Sequence, residues 1–303
     1  MTDAIPGRAD KRFLRTSYGE IAYLETGAAP RPPVLFVHGI PTSSVLWRHV
    51  IRVLGDAFHC LAPDLMGLGD TDVDPETARL DMDNQAEMLL EFMTALGHER
   101  FALVCHDQGG AAAQILATRF PERLTSWVVT NCVCYDNWPV PSVRLVQQLL
   151  HLGPLADLAI RTGLMHWREK RTPFSAMRKG MFDGAALSDE AIEEYLRPLR
   201  GSSRERARFT SFFLAGSPRP TLRVAPDLRK VETPTLILWG ADDRHISPSW
   251  GRRLADDIPG VEGFELIPFC GHFWQEERPA EFTSRMAPFL AEHNLGIRGV
   301  VHA

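Results

Sequence analysis

The sequence predicts an α/β protein: a mainly parallel central sheet flanked by helices, interrupted by a helical insertion. Three observations carry this. Short apolar β-type runs alternate with amphipathic stretches through the first 132 residues. Residues 133–225 then hold no strong strand run. Strand-like runs return at 233–240 and 263–269. Strand–helix alternation implies parallel strands joined by right-handed crossovers. The expected division is a core of residues 1–132 and 226–303 with a cap of 133–225.

Taken in order, FLRTSYGEIAYLETG (13–27) reads as a hairpin with Gly19 near its turn. PPVLFVHG (32–39) is a buried strand stopped by Gly39, followed by strands at 58–64, 101–107 and 124–132. Helical periodicity lies between them at 43–54, 82–96 and 109–119. Within 133–225 the helix-like stretches are 142–164, 174–182, 188–198 and 203–214, broken by Gly and Pro. A helix over 278–291 closes the chain.

Composition narrows the function. A chain of 303 residues can bury a sizeable core. A net charge of −5 offers no electrostatic footprint for nucleic acid or an anionic membrane, so neither is an expected partner. Arg168, Lys170 and Arg171 read as a solvated helix face. No run approaches the roughly 20 apolar residues that span a bilayer, and the N-terminal stretch has no apolar signal core. The five cysteines (60, 105, 132, 134 and 270) are scattered, which fits reduced, buried thiols and a cytoplasmic setting.

Four strand ends carry polar residues out of keeping with their apolar neighbours: His38-Gly39-Ile40-Pro41, Asp107, Gly240-Ala241-Asp242-Asp243 and Cys270-Gly271-His272. Ligands of parallel sheets bind at the carboxyl ends of the strands, so all four converge on one edge. In VCHDQGG (104–110), Asp107 sits at a strand-to-helix bend between small residues, Cys105 and Gly109. The chain order is nucleophile, acid, histidine. His272 suits a general base. Asp243 suits the acid that orients it, ahead of Asp242, and Asn131 after strand 124–131 cannot carry that charge. Metal binding by DDRH (242–245) competes with this use of Asp243, so no metal and no organic cofactor is expected.

With these motifs the chain resembles the α/β-hydrolase superfamily over nearly its whole length, and within it the aspartate-nucleophile branch of haloalkane dehalogenases and epoxide hydrolases. HGIPTSSVLWR (38–48) and DLMGLGDTD (64–72) look most like the dehalogenases, whereas HDQGG (106–110) suits either. The resemblance implies an α/β-hydrolase fold, an Asp107–His272–Asp243 triad and an alkyl-ester intermediate on Asp107. It also implies an oxyanion site from the backbone N–H groups of Ile40 and Gln108, with His38 bracing the loop. The substrate would be a small, largely apolar organic molecule, with water as co-substrate.

The leaving group is less defined. Gln108 and Ile40 stand where dehalogenases commonly carry a tryptophan and an asparagine. The tyrosine pair of epoxide hydrolases has only Tyr135 and Tyr195 as candidates. Other donors in the cap are Trp138, His166 and Trp167, a set similar in spirit to that of the fluoroacetate dehalogenases. Carbon–halogen hydrolysis is the leading expectation and epoxide opening the alternative. Ester or lactone hydrolysis and a non-catalytic ligand-binding relative follow.

Overall fold

The computed structural model describes residues 5–295. Eight strands form one sheet: β1 (Arg12–Thr16), β2 (Gly19–Thr26), β3 (Pro33–Val37), β4 (His59–Pro63), β5 (Phe101–Asp107), β6 (Leu124–Cys132), β7 (Thr235–Gly240) and β8 (Val261–Ile267). Their spatial order is β1-β2-β4-β3-β5-β6-β7-β8. β1 and β2 pair antiparallel, as do β2 and β4, and every pairing from β4 to β8 is parallel. The interior strands are near-continuous apolar runs because helices cover both of their faces. β5 and β7 are buried at every residue. The two edge strands, β1 and β8, carry the exposed positions.

Helices α1 (Arg48–Leu54), α2 (Met82–Ala95) and α3 (Gln108–Arg119) lie in the first half. Between β6 and β7 come α4 (Pro141–Leu150), α5 (Pro154–Arg161), α6 (Leu164–Arg171), α7 (Ala176–Lys179), α8 (Asp189–Leu196), α9 (Ser203–Ala215) and α10 (Arg219–Val224). α11 (Pro248–Asp257), α12 (Trp274–Glu277) and α13 (Pro279–Leu295) complete the chain. α1 packs against α13, α2 against α3, and α10 also against α3.

Several elements differ from the sequence reading, among them the short helices α10 and α12, which it did not contain. The stretch 142–164 is two helices, α4 and α5, with α6 starting at its last residue, because Gly153 and Gly163 adopt φ of 56° and 75°, which a right-handed helix does not carry. Residues 174–182 form only the four-residue turn α7. α11 was not anticipated: Ser247 caps it and Pro248 opens it, but Gly251 and two arginines blur its apolar face.

All five cysteines are buried and unbridged. The GLGD stretch proves to be a buried anchor. Asp64 accepts the N–H groups of Ser44 and Asp70 at 2.7 Å each, and Lys11 Nζ lies 2.6 Å from Asp64 and 3.0 Å from Asp70. Arg197, at the start of the short turn that follows α8, reaches Asp70 at 2.6 Å. Burial alone would strip the Lys11 charge, but the two carboxylates raise its pKa above the usual lysine value. Lys11→Met leaves Asp64 without its cation; urea denaturation is expected to show a loss of about 3–5 kcal/mol.

Candidate active site at the carboxyl ends of β3, β5, β7 and β8

Asp107 ends β5 and precedes α3 with φ 49° and ψ −122°, a strained conformation for a residue with a Cβ. Its side chain makes no capping bond to α3, so it is free for another purpose. Oδ1 accepts the Ile40 N–H at 2.8 Å, and Oδ2 lies 3.4 Å from His272 Nε2. The Ile40 loop can come this close because Gly39 has no side chain. A Cβ there would sit 2.2 Å from Asp107 Oδ1 and 2.6 Å from the Gln108 nitrogen. Gln108 is the first residue of α3, so its N–H belongs to the positive end of that helix.

His272 Nδ1 donates to Asp243 Oδ2 at 2.8 Å. Asp243 is saturated by further donors: His245 N–H (2.7 Å) and Ile246 N–H (2.9 Å) on Oδ1, and Asn131 Nδ2 (2.7 Å) on Oδ2. Burial opposes ionisation of both carboxylates. The hydrogen bonds and charge of His272, helped by these N–H donors, nonetheless hold Asp107 and Asp243 below the usual carboxylate range. Burial also disfavours the imidazolium, yet the Asp243 charge and the bonds to both carboxylates raise His272 to about 10. The resting site is therefore an imidazolium between two carboxylates.

Several residues hold this group in place. His106 lies against His272 with ring centroids 4.6 Å apart and donates from Nε2 to the His272 carbonyl at 2.9 Å. Burial, and then the His272 charge, depress His106 to about 3, so it stays neutral. His38 accepts the Leu65 N–H on Nε2 (3.0 Å) and donates from Nδ1 to the Gly39 carbonyl (2.9 Å), which braces the Ile40 loop. From the helical segment, the Gly180 carbonyl accepts the His272 N–H at 2.5 Å and the Ala176 carbonyl accepts from His245 Nε2 at 3.0 Å.

Above Asp107 lies a cavity of ≈ 260 Å³. Asp107, Ile40, His272 and Phe273 form its floor side. Trp138, Leu149, Leu155, Phe209 and Phe213 line it from the helical segment. Of the donors suggested by sequence, Trp138 lines this cavity, and its buried Nε1 has no hydrogen-bond partner. The Gln108 side-chain Nε2 is likewise buried without a partner. Tyr135 donates instead to Asp257 Oδ2 at 2.8 Å. Tyr195 donates to Glu276, which also grips Arg48 at 2.5 and 2.7 Å. His166 is buried where α6 packs on α8, and Trp167 is 59% exposed. In DDRH the residues serve separate ends, Asp242 accepting the Phe269 N–H while Asp243 and His245 act as above. Sequence reasoning passed over His245 and His106. Their signal was adjacency to Asp243 and Asp107.

An acidic residue at a strained corner, then a second acid, then a histidine, in that chain order at the strand ends of such a sheet, is the arrangement expected of a hydrolase site. Residues 34–285 match the model of the Alpha/beta hydrolase family, and the chain belongs to that family. It is 38% identical over 288 residues to an uncharacterized hydrolase of Saccharomyces cerevisiae, covering 90% of this chain and 94% of the other. Against a soluble epoxide hydrolase of a Corynebacterium species the identity is 27%, covering 86% and 90%. Against haloalkane dehalogenase 2 of Mycobacterium tuberculosis it is 28%, covering 89% and 91%.

The pKa shifts fix the sign of the stability profile. His272 is raised on folding, so its contribution is complete below its unfolded value near 6.5 and is lost as pH climbs through about 10. The depressed Asp107 and Asp243 contribute above about 4 and lose that contribution on further acidification. Denaturation from pH 6 to 10.5 is expected to show a decline in stability that His272→Gln flattens.

Proposed function

We propose that this protein hydrolyses a carbon–halogen bond through an ester on Asp107, with the helical segment 133–225 acting as a cap over the reacting atoms. The observation that carries this is the seating of Asp107. One oxygen is fixed by the Ile40 N–H, and the other stands beside His272 at the floor of an apolar cavity. A carboxylate is a poor nucleophile toward carbonyls, but it can displace a leaving group in line from an sp³ carbon. Oδ2 attacks the carbon, the carbon–halogen bond breaks, and halide departs with the electron pair. The resulting ester keeps Oδ1, now its carbonyl oxygen, against Ile40.

Ester formation removes one of the two charges that hold the His272 proton. The imidazolium gives up that proton more readily, and the neutral ring takes one from water. Hydroxide adds to the Asp107 carbonyl carbon, and the Ile40 and Gln108 N–H groups stabilise the oxyanion. Collapse expels the alkoxide, which takes its proton from His272, and the Asp107 acid then passes its own proton to the ring, which restores the carboxylate and the imidazolium. The net reaction turns alkyl halide and water into alcohol, halide and a proton. Asp243 keeps the ring oriented throughout.

Placement of the hydroxyls supports halide over epoxide. An opened epoxide needs an acidic O–H, and both candidate tyrosines are committed to carboxylates outside the cavity. Burial, and then the neighbouring carboxylate, push both phenols well above the usual tyrosine value, which makes them poor acids. The unpartnered N–H of Trp138, a residue that lines the cavity, suits a halide, which needs stabilisation but no proton. Epoxide opening is the second reading, favoured by the likeness to the epoxide hydrolase.

A panel of bromoalkanes and terminal epoxides distinguishes the two, with halide release expected and dominant diol formation reversing the assignment. Asp107→Asn is expected to lower kcat/KM at least about 10³-fold with folding intact. His272→Gln is expected to stall after ester formation, so intact-protein mass spectrometry finds the alkyl group on Asp107. An unmodified variant, with wild-type turnover present, rules out the covalent path. Between pH 5 and 8, kcat is expected to rise with pH as His272 of the ester deprotonates. Over the same range kcat/KM stays flat, because Asp107 is already ionised.

A further inference from the structure

We propose that the cap docks on the surface of an anionic lipid bilayer and takes its apolar substrate from that phase. Amphipathic helices of globular proteins usually turn their leucines to the core. Here three consecutive helices turn them outward. α4 buries Val143 but exposes Leu145 and Leu149, with Leu152 in the turn that follows. α5 buries Ile160 and exposes Leu155 and Leu158, and α6 exposes Leu164 and Trp167 one turn apart. Phe174, just beyond, is 66% exposed. Eight of the sixteen large apolar side chains exposed among the described residues fall within 145–174, a concentration that marks an interaction surface rather than scatter.

Two observations select the occupant. The first is charge. Residues 141–174 hold five basic and two acidic side chains, in a chain whose net charge is −5; Arg168, Lys170 and Arg171 pair with Glu169, Glu193 and Asp189, which leaves Arg144 and Arg161 to carry the excess. Exposed Arg144 has no carboxylate partner among the described residues, and Arg161 is held only loosely, 3.8 Å from Asp157. Leucines, an indole and arginines on one helical surface are the composition of an interfacial segment that favours anionic lipid. An isologous pair of copies would set these same cations against each other. The second is continuity. Leu149, Leu152 and Leu155 line the Asp107 cavity and are each about half exposed or more, so the cavity opens through the patch itself. A bilayer seated there closes the mouth with an apolar phase and feeds it. The whole-chain charge predicted no membrane partner because it averages this face with an acidic remainder. Among the described residues no helix is long and apolar enough to cross a bilayer, so the contact is peripheral.

Substrate delivery rests on the proposed chemistry, whereas docking does not. The test is co-sedimentation of the full chain with phosphatidylcholine vesicles, with and without phosphatidylglycerol, at low and high salt. Binding at least tenfold tighter to the anionic vesicles and weakened by salt is expected. The double variant Leu145→Glu/Leu158→Glu lies outside the cavity. It is expected to lose that binding at least tenfold while turning over a water-soluble bromoalkane as the wild type does. Three results overturn the proposal: no preference for anionic vesicles, unchanged binding by the variant, or a concentration-dependent dimer that the variant abolishes without vesicle binding. Vesicle binding without halide release from the wild type discards the proposed chemistry and leaves docking standing.

Discussion

An imidazole held between two carboxylates, out of reach of bulk water, is the constraint around which the molecule is arranged. Neither the imidazolium nor the carboxylates would stay charged alone at that depth. Together they do, because each is matched and the remaining lone pairs of Asp243 are filled by Asn131, His245 and Ile246. Four strand ends must arrive in register for this to happen. The parallel sheet delivers them from residues more than 200 positions apart.

The second requirement is strain at Asp107. Its positive φ costs on the order of 1–3 kcal/mol, which packing elsewhere must offset. The buried surroundings of β5 and β6 and the close passage of the Gly39 loop leave the corner little room to relax. What strain secures is direction: the carboxylate stands clear of α3 rather than capping it.

The sheet was largely legible because buried parallel strands are apolar runs that few other elements imitate. The residues converging on the site were legible too, since Asp107, Asp243 and His272 interrupt such runs at their ends. Helix breaks at Gly153 and Gly163 were hidden, because apolar periodicity continues across them while the backbone reverses hand. The aromatic donors between β6 and β7 were hidden for another reason. A tyrosine's composition does not tell whether its hydroxyl faces a cavity or, like Tyr195, a glutamate on another helix. The DLMGLGDTD segment shows the converse, since Asp64 and Asp70 bind Lys11 and a backbone turn, and Asp72 pairs with Arg204 and Arg208, rather than reach the cavity.

The bond from the His272 N–H to the Gly180 carbonyl ties the imidazole's residue to the helical segment between β6 and β7. Ala176 and His245 add a second tether beside the first. A segment moored in this way cannot move far without pulling the imidazole from its partners. Under the proposed function, substrate and product would pass the half-exposed Leu149, Leu152 and Leu155 that line the cavity, and a cap that opened wide would do so at the expense of catalysis.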